Sequence, residues 1–139
     1  MKKSKSWLLI CAAVLFGLVC LLPVQAEAAQ VEWHTTNLYY EVTEDNTPEN
    51  ILIIDGYFRN NTDRYINYVY EFNLTATITN DSGYTGTVKG SFRDFEKMIA
   101  PYGESNHRFR IRNAEIIWPV DSYEVRGGYM RWKHSSAAG

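Results

Sequence analysis

From Ile66 to Ile78 every second residue is apolar or aromatic: Ile66, Tyr68, Tyr70, Phe72, Leu74, Ala76 and Ile78 stand against Asn67, Val69, Glu71, Asn73, Thr75 and Thr77. A helix gathers residues three and four apart on one face, whereas a strand alternates faces at every residue. The run therefore reads as β-structure. Its bounds are "NNTDR" (Asn60 to Arg64) and "NDSG" (Asn80 to Gly83), whose Asn, Asp and Gly tolerate left-handed backbone and bond local amides. At about 3.3 Å per residue the run outlasts an ordinary strand of about 17 to 20 Å. It is expected to bend or to change pairing partner midway.

The flanking segments carry the same period. "VEWHTTNLYYEVTED" sets Leu38, Tyr40 and Val42 against Tyr39, Glu41 and Thr43, one strand or two short ones, and stops at the loop "DNTPEN". "NILIIDGYFRN" puts Leu52, Ile54, Gly56 and Phe58 on one face, while the other turns polar from Ile51 to Arg59. "YTGTVKGSF" alternates Tyr84, Val88 and Phe92, with glycines at 86 and 90 that suit a bulge or a sheet edge. "RDFEKMIAPYGESN" has no clean period, and a helical turn over Phe95 to Ile99 before the turn "APYGES" is expected. "HRFRIRN" opposes His107, Phe109 and Ile111 to Arg108, Arg110 and Arg112. "SYEVRGGYMRWK" opposes Tyr123, Val125, Tyr129 and Arg131 to Glu124, Arg126, Met130 and Trp132. Six or seven such strands with turns between them describe an all-β antiparallel sandwich.

The amino terminus differs. "MKKSK" leads an apolar run from Trp7 to Val24, then "VQAEAAQ", which is the order of a secretory signal peptide with cleavage after Ala26 or Ala28. A retained membrane anchor is the alternative, and the only membrane link the sequence offers. Residues 1–28 are thus expected to be a signal-peptide helix, 29–134 the sandwich and 135–139 a disordered tail. Cys11 and Cys20 both leave with the signal, so the exported domain must rely on a packed core rather than a disulfide. The compartment implied is secreted or cell-envelope associated, in a bacterium. A net charge of −2 gives no basic surplus for nucleic acid.

"GYFRNNTDRYINYVYEFNL", "DSG", "APYGESNHRFRI" and "SYEV" together resemble the FxLYD-type domain of bacterial exported and lipid-anchored proteins, and share a cadence with SLAP-type domains of cell-surface proteins. The likeness covers Asp55 to about Val125. Phe72 and Leu74 match the naming tetrad, and Thr75 and Ala76 stand where Tyr and Asp would be. The resemblance implies an immunoglobulin-like β-sandwich and carries over no catalytic residues.

Chemistry-bearing constellations are sparse. His34, His107 and His134 are scattered without zinc spacing, Asp94 and Glu96 have no pocket to share, and no serine sits in a GxSxG elbow. No enzyme, metal or cofactor is expected. What remains is a binding surface: Arg108, Arg110 and Arg112 share one strand face and could clamp carboxylates or phosphates bidentately. Tyr57 and Tyr65 flank the "RNNTDR" turn and could stack on a sugar or anchor a protein. The bland alternatives are a solvated face balanced by cross-strand carboxylates, and half-buried framework tyrosines. The expected function is a non-enzymatic binding or adaptor module of the envelope whose partner is a protein or cell-wall glycan. A self-associating structural domain is the alternative.

Overall fold

The structure, a computed structural model, describes residues 29–135. The expectations for the signal segment, its cleavage and residues 136–139 lie outside the described residues. Six strands form two antiparallel three-stranded sheets: β1 (Val31–Val42), β2 (Pro48–Asn60) and β5 (Glu104–Arg112) in the order β1-β2-β5, and β3 (Ile66–Asn80), β4 (Thr85–Ile99) and β6 (Val120–His134) in the order β4-β3-β6. The sheets stack as a sandwich.

The core lies between the sheets, where alternation delivers Leu52, Ile54, Phe58, Phe72, Leu74, Ala76, Ile78 and Phe109 to one interior. Trp33 closes one side of it, 5.0 Å from Phe58 and 5.1 Å from Phe109 between ring centroids. The indole fits because β2 carries no side chain beneath it. A Cβ at Gly56 would stand 2.1 Å from the His34 carbonyl oxygen and 2.6 Å from the Trp33 ring.

The turns at one end are tied by Asn60, which is wholly buried. Its Nδ2 donates to the carbonyls of Arg64, Ile99 and Ala100 at 2.7, 3.1 and 3.1 Å, and its Oδ1 accepts from Thr62 N and Oγ1 at 2.9 and 2.7 Å. One amide thus satisfies the β2–β3 and β4–β5 turns together, as burial of polar backbone requires. At the other end the Tyr40 hydroxyl donates to the Glu115 carbonyl at 2.7 Å and accepts from Ile117 N at 3.1 Å, pinning the β5–β6 connection to β1.

Three expectations need correction. No helical turn spans Phe95 to Ile99, because β4 continues to Ile99. Asp94 takes a left-handed φ of 57°, which shifts the inward parity from Phe92 to Phe95 and hides the strand period. Tyr68 and Tyr70 do not join Ile66 and Phe72 inside. Register shifts between Ile66 and Tyr68 and between Val69 and Glu71 bury Val69 completely and leave the two tyrosines half-buried, their rings 5.1 Å apart. In β6 a further shift beside Gly127 turns Met130 and Trp132 inward against Phe72 and Val69, and Arg131 outward. Each bulge adds one residue to one strand, and one residue reverses every later face. β3 takes up these shifts and keeps both neighbours along its length.

Candidate functional site

Two outer faces could meet a ligand, one on each sheet. On the first sheet, β5 presents Arg108, Arg110 and Arg112 together, and the register sets them opposite Asp55, Ile53 and Ile51 of β2. Arg108 donates through Nε and Nη2 to both oxygens of Asp55, at 2.6 and 3.0 Å. That bidentate bond, and next the carboxylate's charge, raise the guanidinium pKa further. Arg110 reaches over β2 to donate to Glu41 on β1. Ile53, between these pairs, is buried although it faces away from the core. Arg112 alone of the three makes no ion pair among the described residues.

Tyr57 lies on the same face and stacks on His34, centroids 5.0 Å apart and planes 22° apart, while His34 bonds Glu32 at 2.9 Å. Arg59 pairs with Glu104 at 3.3 Å. Tyr65 stands apart from this group. It precedes β3 on the way into the other sheet, and its carbonyl accepts from Ser135 N at 2.9 Å. An open cleft of about 440 Å³ lined by Thr36, Asp55, Gly56, Asn106, His107 and Arg108 lies along this sheet, but its carboxylate and guanidinium already satisfy each other.

The second sheet presents what the sequence reading missed. Its outer face carries a cleft of about 490 Å³ lined by Asn67, Tyr68, Tyr70, Glu96, Met98 and Lys133. Bulging β3 brings the tyrosines here. Tyr68 donates to Asp94 Oδ1 at a long 3.4 Å, and Arg131 lies 4.7 Å over the Tyr70 ring, a cation–π arrangement. Loss of solvent, and then the Asp94 carboxylate, raise the Tyr68 pKa, so the group is a neutral donor and acceptor at physiological pH. The amide oxygens of Asn67 and, further along β3, Asn73 are buried without a hydrogen-bond partner. Beside Asn73 a second cleft of about 440 Å³ is bordered by Glu71, Thr75, Lys89 and Ser91. The second face thus pairs Glu71 with Arg93 at 3.3 Å, as the first pairs Asp55 with Arg108, and differs in the two amide oxygens it buries without a partner. The available signal was the tyrosine pair in "NYVYEFN", whose facing the bulges conceal.

Among the described residues no group of three His, Cys, Asp or Glu side chains is placed to hold a metal ion, and no helix is long and apolar enough to cross a membrane. No family model, curated protein or solved structure matches the chain.

Proposed function

We propose that the chain is an exported, non-enzymatic binding module of the bacterial cell envelope, and that its ligand is a glycan held on the outer face of the second sheet. The observation that carries this reading is the cleft over Tyr68 and Tyr70, where aromatic rings lie beside the Asn67 side chain, the Glu96 carboxylate and the Lys133 ammonium. Sugars offer apolar C–H faces to rings and hydroxyls to such polar groups, so a mixed aromatic and polar surface suits them. The signal-like amino terminus and the likeness to FxLYD- and SLAP-type domains support an envelope location. The arginine row Arg108, Arg110 and Arg112 with Tyr57 and Tyr65, the first candidates from sequence, becomes secondary here, because two of its guanidinium groups are occupied by carboxylates.

Retention of the purified chain on cell-wall polysaccharide tests this. Binding should weaken at least tenfold, about 1.4 kcal/mol, in Tyr68→Ala, and stay unchanged in Arg110→Ala. Binding lost in Arg110→Ala and Arg112→Ala but kept in Tyr68→Ala moves the site to the first sheet. Retention by envelope proteins after polysaccharide digestion replaces the glycan with a protein partner. A second reading, self-association, has a separate observation in the free edge of β6.

A further inference from the structure

The second sheet ends on β6, and among the described residues no strand pairs with its outer edge. A strand of 15 residues therefore leaves a row of backbone N–H and C=O groups open to another chain. Beside this edge, at the seam between β6 and β1, a cleft of about 250 Å³ is bordered by Val31, Trp33, Phe72, Gly127, Gly128 and Met130.

The β6 sequence is a two-fold pattern about its glycine pair. Counting outward from Gly127 and Gly128, Arg126 matches Tyr129, Val125 matches Met130, Glu124 matches Arg131, Tyr123 matches Trp132 and Ser122 matches Lys133. Opposite charges meet, apolar residues meet, and no like charges face each other. The faces agree too. Pairing with β3 sets Tyr123 and Val125 opposite buried Ile78 and Ala76, and Met130 and Trp132 opposite buried Phe72 and Val69. Ser122, Glu124, Arg131 and Lys133 lie instead opposite Thr79, Thr77, Glu71 and Tyr68 on the outer side. In an unbulged strand, residues matched in this way would fall on opposite faces of the sheet. The extra residue between Gly127 and Met130 puts them on the same face.

We propose that this edge joins two copies of the chain, β6 antiparallel to β6 about a two-fold axis between Gly127 and Gly128, so that two three-stranded sheets become one continuous sheet. The glycines place no Cβ where the two backbones meet at the axis. On the outer face Glu124 of each copy lies opposite Arg131 of the other. On the inner side Val125 meets Met130 and Tyr123 meets Trp132 along the seam beside Trp33. The charges are free to exchange partners: Glu124 holds Arg126 at 3.1 Å with both side chains mostly in solvent, and Arg131 rests on the Tyr70 ring. The assignment uses the strand edge and stands apart from the glycan reading.

Charge reversal tests it, read by sedimentation equilibrium on the full exported chain purified from its host. The wild type should dimerise. Glu124→Arg and Arg131→Glu should each raise the dissociation constant about tenfold, since two symmetry-related pairs turn from attraction to repulsion, and the double variant should return close to wild type. Amides on the open side of β6 should also exchange more slowly as concentration rises. A chain that stays monomeric into the high-micromolar range overturns the proposal. So does a dimer indifferent to both reversals, or a double variant weaker than either single one. Circular dichroism checks folding throughout. If Arg131→Glu fails to fold, Glu124→Arg, at a largely exposed side chain, decides alone between a tenfold loss and no change.

Discussion

The two outer faces are made of similar residues and differ in how those residues are satisfied. On the first sheet Arg108, Arg110 and Arg59 find Asp55, Glu41 and Glu104, and Tyr57 stacks on His34. On the second, Asn67 and Asn73 keep unpartnered amide oxygens and the tyrosines lean on each other and on Arg131. Both faces contain aromatic and charged groups, so composition does not separate them. One difference is register at the strand pairs themselves: β2–β5 runs without a shift, so Arg108 meets Asp55 and Glu104 meets Arg59 directly across the strands, whereas β3 shifts against both neighbours. A matched polar group adds to stability, and a buried amide oxygen without a partner subtracts from it.

The sharpest way to break that contrast is a methyl group. Gly56→Ala in the first sheet drives Cβ to 2.1 Å from a backbone oxygen, and backbone cannot yield as a side chain can. A loss of about 3 kcal/mol or more in unfolding free energy is expected. Gly128→Ala in the second sheet meets nothing closer than 3.5 Å and should stay within about 0.5 kcal/mol, measured by urea denaturation in dilute solution. Equal losses would mean that both sheets are built to the same tolerance.

The next effect depends on pH. His107 points into the aromatic cluster between the sheets, stacked on Phe95 of β4 at 5.0 Å and 4.4 Å from Phe109. Burial, and then the nearby Lys97 ammonium, lower its pKa to about 4. In the unfolded chain the ring titrates near its ordinary value of about 6.5. Between these values the unfolded state binds more protons than the folded one, so this contribution is complete above about pH 6.5 and is lost as pH falls toward about 4. After allowance for screening at a partly exposed ring, the loss should be about 1 to 2 kcal/mol. His107→Phe keeps a stacked ring and should flatten the stability profile across that window. A profile that stays steep in His107→Phe places the acid sensitivity in the carboxylates of the outer ion pairs instead.

The parts of this architecture legible in the sequence are those where strands run unbulged. Leu52 to Phe58, Phe72 to Ile78 and His107 to Ile111 alternate without error, and their inward residues are the core. The reading fails where one residue is added: at Tyr68 and Tyr70, at Asp94, and after Gly127. A bulge needs no distinctive composition, and even the glycine pair in β6 marks its place without giving its direction. The arginine row could be placed on one face from the period alone. Its partners could not, because Glu41 lies 69 residues from Arg110 in the chain and meets it through a strand between them. Asn60 looked like a turn residue and is one, yet its larger role follows from a second turn that only the fold brings near.

The smallest expected effects carry the comparison to single side chains. Glu41→Gln removes the carboxylate from an ion pair whose side chains are 41% and 31% exposed, so solvent already weakens the attraction. A loss of about 0.5 to 1 kcal/mol is expected. Asn73→Val changes the second face in the opposite sense. The buried amide oxygen has lost its hydration without gaining a bond, and a β-branched side chain suits the centre of β3 better than an amide. This variant should gain up to about 1 kcal/mol. The two signs matter more than the sizes, because a matched polar group and an unmatched one respond oppositely to removal. If Asn73→Val destabilises the protein as Glu41→Gln does, the Asn73 amide is part of the framework. If it stabilises the protein and leaves polysaccharide retention unchanged, the buried oxygen acts on the fold alone.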